Sequence, residues 1–319
     1  MLLFRGFLIL TLVALSGAAA EPLRILATLP ALHSWASKVA GPDAVVETLP
    51  SASVGPHDFQ FRPSDLRRLA RADVVVMNGL GVDGWMDKAL RNNSAKSGLR
   101  VVTVADGLKS QWISEVAELS VGSANKENSK HDRGSAGHAE KHDHHDHAEH
   151  GPNPHLWLDP VFARHGVSNI LDTLVAMDPA HSDGYRSRAA AYLAELEVLD
   201  AEIRSAVARL QDRRIVTFHD AFPYFCRRYG LELVGVVEEV PSVEPSPRYL
   251  TELVAAIRKS KVRVVFSEPQ FHPRLVRRLA EDLGIKVGEL DVLETGTPSP
   301  GFYVEGQRRN LKSLEAALR

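Results

Sequence analysis

Eight short runs rich in β-branched residues fall in two blocks of four, and this rhythm limits the fold more than any other feature of the chain. The first block is Arg24–Thr28, Val45–Leu49, Val74–Met77 and Val101–Val104; the second is Ile215–Phe218, Leu233–Val237, Val262–Phe266 and Lys286–Leu290. Longer helix-patterned stretches separate most of the runs. A strand followed by a helix and another strand leads to parallel pairing, because the crossover returns the chain to the same edge of the sheet. The reading is an α/β fold of two lobes, each with a mainly parallel four-stranded sheet. The 319 residues suffice for two hydrophobic cores.

Between the blocks, Tyr185, Ala189, Tyr192, Leu196, Leu199, Ile203, Ala206 and Leu210 recur in steps of four and three. That spacing draws one apolar stripe down a helix. Unbroken from Pro179 to Leu210, such a helix is about 50 Å long and joins the lobes as a strut. Asp159 and Pro160 read as the cap and first residue of a preceding helix that ends at Asp178-Pro179, and Ser64 as the cap of a helix in the first lobe. The expected division is residues 1–20 as a leader, 21–178 as the first lobe, 179–211 as the linking helix and 212–319 as the second lobe. From 122 to 152 there is no apolar periodicity, only a polar, His-rich composition that cannot offset its ordering entropy, so a loop without packed structure is expected there.

The leader carries Arg5, an apolar run from Phe7 to Leu15 and small residues up to Ala20, which reads as a secretory signal peptide cleaved after Ala20. The run is shorter than the roughly 20 residues of a membrane span. Loss of Arg5 takes the formal net charge from −2 to −3, leaving no basic surplus for nucleic acid. Cys226 is the single cysteine, so no internal disulfide forms, and its position on a helix-patterned segment reads as a buried, inert thiol.

Metal coordination requires neutral imidazoles and carboxylates converging from a rigid frame. His57 follows the second strand, His155 precedes a helix, His219 closes a strand and Asp291 follows the last strand. Loops at the carboxyl ends of parallel strands line the binding crevice of open α/β sheets, so these four can meet between the lobes. Taken one at a time, such a histidine is more often a hydrogen-bonded surface or core residue than a ligand, and Asp291 alone could simply cap a turn. Glu268 and Asp220 are candidates to orient a ligand imidazole. His33 lies near the first strand at the edge of the cleft; His165, His181 and His272 read as surface residues. One decoy exists: Gly79–Gly84 reads G-x-G-x-x-G after a strand, with Asp106 further on, as in a dinucleotide site. It follows the third strand rather than the first, which argues against that reading.

The phrases GPHDFQFRPSDLRRLARADVVV, NPHLWLDP, TFHDAFPYFCRRYGLE, FSEPQFHP and ELDVLET occur in an order and separation that resemble the metal-binding solute receptors of bacterial ABC transporters, the zinc receptors in particular. The likeness spans essentially the whole mature chain. It implies two lobes joined by a long helix, a metal in the interlobe cleft, a periplasmic location and docking to a membrane permease. Carried over by motif, the ligands are His57, His155, His219 and Asp291. Histidine at 219, where many manganese receptors have glutamate, suits Zn²⁺; Mn²⁺ is the second choice. The family often reads Leu-Asp-Pro-Leu-Gly where this chain has LDVLE, Leu290–Glu294, so Glu294 or a water competes with Asp291 for the fourth position.

His131, His138, His142, His144, His145, His147 and His150 crowd the polar loop. Without a frame, any ion they bind must also order chain, so they suit weak auxiliary capture of zinc. The resemblance agrees, since zinc receptors frequently carry such an insertion before the second ligand motif. The rival from another class is an exported zinc hydrolase using an open coordination position if Asp291 does not bind; no H-E-x-x-H or G-x-S-x-G motif supports it. A third reading is a metal-sequestering adhesion or buffering protein. The reading adopted is a monomeric, non-enzymatic zinc receptor that serves a permease.

Overall fold

The computed structural model describes residues 21–91, 97–113, 151–238, 243–271 and 274–319. Residues 1–20, read as a signal peptide, His272 and all seven clustered histidines lie outside the described residues. Two sheets of four parallel strands are present, and all eight β-branched runs are strands. The first sheet has the order β2-β1-β3-β4, with β1 Leu23–Ala27, β2 Ala44–Thr48, β3 Val74–Met77 and β4 Arg100–Thr103. The second repeats the pattern as β6-β5-β7-β8, with β5 Arg214–His219, β6 Glu232–Glu238, β7 Val264–Ser267 and β8 Lys286–Glu289. In each, the strand order reverses beside the first strand, which opens a crevice at the carboxyl ends of β1 and β3, and of β5 and β7.

Helices α1 Pro30–Ala40, α2 Pro63–Leu69 and α3 Gly84–Arg91 cross the first sheet. Ser64 does not cap α2. Pro63 opens that helix at its first position and the Asp65 carboxylate accepts from Arg62 N at 3.0 Å, because proline's fixed φ suits the first turn and moves the start ahead of Ser64. Helix α4, Pro160–Met177, begins as expected, with the Asp159 side chain accepting from Val161 N at 2.9 Å, and Asp178 ends it. The strut is α5, Ser182–Ala208, preceded by a separate turn of 3₁₀ helix at Pro179–His181. All eight stripe residues are buried, so α5 faces the core along its whole length.

The second sheet carries α6 Pro223–Tyr229, α7 Pro247–Ser260 and α8 Arg274–Leu283. The terminal helix α9, Phe302–Leu318, then packs against β8, α1 and α5, returning the chain to the first sheet's helices. Ser34 Oγ donates to Pro300 O at 2.8 Å, Tyr303 Oη to Trp157 O at 2.8 Å and Gln307 Nε2 to Leu158 O at 2.9 Å. One buried apolar cluster therefore runs from Ile25 and Trp35 through α5 to Ile215, Phe266 and Leu314. Cys226 belongs to it, and burial pushes its thiol pKa up, as an inert core cysteine requires.

Candidate metal centre

His219 ends β5 and Glu268 follows β7, so the two meet at the crevice of the second sheet, where neighbouring parallel strands deliver them side by side. His219 Nδ1 donates to Glu268 Oε1 at 2.6 Å, and Glu268 also accepts from His219 N at 3.2 Å and from Gln270 Nε2 at 2.9 Å. Proton and ring orientation are fixed together: Nδ1 carries the hydrogen and the Nε2 lone pair points outward. Burial alone would lower the His219 pKa, but the Glu268 carboxylate outweighs it and the pKa is raised.

His155 arrives from the first lobe, in the segment ahead of the 3₁₀ turn Leu156–Leu158. Its Nδ1 donates to Asn153 Oδ1 at 3.0 Å, which again leaves Nε2 as the bare acceptor. The two Nε2 atoms lie 3.2 Å apart. His155 is 4% exposed and His219 1%. Burial pushes the His155 pKa down to about 4, so this ring is neutral at physiological pH. Two lone pairs at that distance repel unless a proton or a metal cation lies between them, and adjacent nitrogens of tetrahedral zinc are about 3.3 Å apart for bonds of about 2.0–2.1 Å.

Glu294 completes the group. Its Oε1 lies 3.4 Å from His155 Nε2 and 3.7 Å from His57 Nε2, yet it is buried and accepts no hydrogen bond among the described residues. Burial by itself would raise the Glu294 pKa; the facing imidazoles outweigh it and hold the group below the carboxylate range. His57 comes from the turn Pro56–Asp58, where Trp85 Nε1 donates to Pro56 O at 3.1 Å and the rings of Phe59, Phe61 and Trp85 pack edge-on or tilted against one another. Its side chain is 29% exposed, against 2% for Glu294. One donor atom each from His57, His155, His219 and Glu294 all lie within 4.8 Å of one another.

Asp291 is absent from this group. Its Oδ1 accepts from Leu293 N at 2.8 Å and its Oδ2 faces Arg309 at 3.5 Å, while its backbone is held at both N and O by Asn310. The carboxylate is used up in shaping the loop. That loop turns through Leu293 at φ 61°, a left-handed conformation costing about 1–2 kcal/mol for a non-glycine residue, and the turn aims Glu294 at the histidines. Gly306 leaves the space Leu293 occupies, since a Cβ there would collide with the Leu293 side chain. Sequence reasoning named Glu294 only as a competitor, because one more residue of loop decides which acid reaches the centre. It missed Asn153 altogether, although an Asn two residues before a ligand histidine is a local hydrogen-bonding signal.

The remaining sequence candidates have other partners. Asp220 accepts from Asn153 Nδ2, through its Oδ2 at 3.0 Å and its main-chain O at 2.7 Å. His33 sits on α1 beside Ser37, His165 contacts Asp106 O at 2.6 Å and His181 contacts Asp178 at 2.6 Å. The glycine-rich turn is closed by its own acid: buried Asp83 accepts from Asn78 N at 2.5 Å, Gly79 N at 3.0 Å and Thr28 Oγ1 at 2.8 Å. Those amides are occupied, so the turn offers no phosphate cradle of the dinucleotide type.

Twin parallel α/β sheets, a long connecting helix and a buried nitrogen-rich donor cage in the crevice define the class of metal-binding solute receptors. Within that class the chain belongs to the ZnuA family, described as zinc-uptake complex component A, periplasmic, whose model matches residues 25–317. It is 36% identical to the high-affinity zinc uptake system protein ZnuA of Paracoccus denitrificans over 291 residues, covering 90% of this chain and 89% of that protein. Among solved structures it is similar to the SBP FpvC of Pseudomonas aeruginosa in complex with Mn²⁺, with a TM-score of 0.73 at 29% identity over 93% of this chain and 98% of that one. A crystal structure of ZnuA shares the fold, with a TM-score of 0.75 at 24% identity over 94% of this chain and all of the other.

Proposed function

We propose that the chain is a periplasmic zinc receptor that holds Zn²⁺ through His57, His155, His219 and Glu294 and delivers it unchanged to an ABC permease. The observation that carries this is the pair of Nε2 lone pairs, each bared by a donated Nδ1 hydrogen, facing each other at 3.2 Å beside a buried carboxylate oxygen with no hydrogen bond. A divalent cation satisfies all of them at once. Family membership supports export and transport, and among the described residues no helix is long and apolar enough to cross a membrane.

Three imidazoles and one carboxylate favour zinc over manganese, which prefers more oxygen. A four-donor set fills tetrahedral zinc and leaves no position for a nucleophilic water, which weighs against the hydrolase. The test is a competitive titration of the purified mature protein with Zn²⁺ and Mn²⁺ against a chelator. One tight equivalent of zinc that manganese does not displace is expected. Preference for manganese, or no tight site, overturns the proposal.

A further inference from the structure

We infer that Asn153 is a positioning residue that makes the metal-competent tautomer of His155 depend on closure of the cleft; the inference rests on the proposed zinc site. The Asn153 amide is used at both ends by opposite halves of the molecule. Its Oδ1 accepts from His155 N and from His155 Nδ1, both at 3.0 Å, within the first lobe. Its Nδ2 donates to the carbonyl and carboxylate of Asp220, which is next to His219 in the second lobe. The orientation admits no flip: turning the amide over would point its NH₂ at the His155 backbone N–H and its oxygen at the two Asp220 oxygens.

The two buried imidazoles are therefore oriented by different means. Glu268 holds His219 from within the same sheet, so that ring is set whether the cleft is open or shut. His155 is held by a neutral amide whose direction is itself set from across the cleft. The Asn153 main chain is also held from both halves: its N donates to Ile113 O of the first lobe at 2.7 Å, and its O accepts from Tyr224 Oη on α6 of the second at 2.8 Å. Asn78 Nδ2 holds the next carbonyl, Pro154 O, at 2.8 Å. Ile113 and Asn78 still hold the backbone from the first lobe when Asp220 and Tyr224 move away, whereas the side-chain amide loses both acceptors that set its direction. An unguided amide lets the His155 proton shift to Nε2, where it blocks coordination. Opening of the cleft then weakens the grip on the ion at the moment of transfer.

Two substitutions separate tautomer control from the tie across the cleft. In metal-free protein, nitrogen-15 NMR of the imidazoles should show His155 as the single Nδ1–H tautomer; Asn153→Ala should give a mixture while His219 stays Nδ1–H. Zinc affinity, read by chelator competition, should fall by about 10–100-fold, the range for loss of a partner behind a metal-ligating histidine. Asn153→Asp keeps an acceptor for His155 but sets two carboxylates against each other, so the tautomer should persist while zinc dissociation becomes faster. A single Nδ1–H tautomer in the alanine variant, or zinc dissociation from the aspartate variant no faster than from the unaltered protein, overturns the inference. Failure of the unaltered protein to bind zinc tightly would instead sink the proposed function, and the tautomer measurement stands apart from it.

Discussion

At the scale of the residue, the competition between Asp291 and Glu294 is decided by what each carboxylate already holds. Asp291 is engaged by Leu293 N and Arg309, whereas Glu294 Oε1 has no hydrogen bond among the described residues. Glu294→Gln should weaken zinc beyond the roughly 10–100-fold seen for residues behind the ligands, while Asp291→Asn should affect affinity less, as read by the same chelator competition. Protons compete with the ion for the same nitrogens. Because the Glu268 carboxylate outweighs burial and raises the His219 pKa, protons compete for this ring at a higher pH than for an unperturbed histidine, and affinity should already be falling above pH 6.5 as the solution is acidified. His155 acts with the opposite sign on the stability of the metal-free fold. The unfolded chain takes up a proton near pH 6.5 and the native ring only near 4, so stability is full above 6.5 and should decline by about 3 kcal/mol as pH falls to 4, measured by urea titration.

At the scale of the element, the stripe on α5 was legible because a period of 3.6 survives any tertiary context that buries one face. Leu199, fully buried midway along it, should cost about 2–5 kcal/mol when replaced by Ala, measured as a lower urea midpoint. The turn from Asn78 to Asp83 was misleading for the reason that makes it stable: glycines that permit a phosphate to approach also permit a side chain to close back on the amides. Gly79 is required there, at φ 84°, with a Cβ predicted 2.6 Å from Thr103 Cγ2. Asp83→Ala strips three buried donors of their acceptor, at about 1–3 kcal/mol each, and should lower the thermal midpoint strongly.

At the scale of the whole molecule, α5, α9 and the shared apolar cluster join the two sheets through one continuous core away from the cleft. A single cooperative unfolding transition is expected by calorimetry, with a midpoint that zinc raises; at a free concentration 1,000 times the dissociation constant the gain is about 4 kcal/mol. Chelation should reverse it. Deletion of residues 125–150 should lower the total number of zinc ions bound and leave one tight equivalent. Loss of the tight equivalent would instead place the main site in the histidine-rich segment.

The order of strands and helices, the strut, the α4 cap and the three histidines were readable in the sequence because each depends on local periodicity, or on a motif whose residues lie close together along the chain. The fourth acid, the return of α9 to α1 and the Asn153 bridge were decided by tertiary structure. Each depends on where a loop of a few residues points after distant segments have packed, and side-chain direction changes with every added residue while hydrophobic pattern does not. Sequence motifs, through the family they resemble, pointed to three imidazoles that could meet between the lobes; only the folded molecule determined which carboxylate oxygen, among the described residues, was left unbonded to face them.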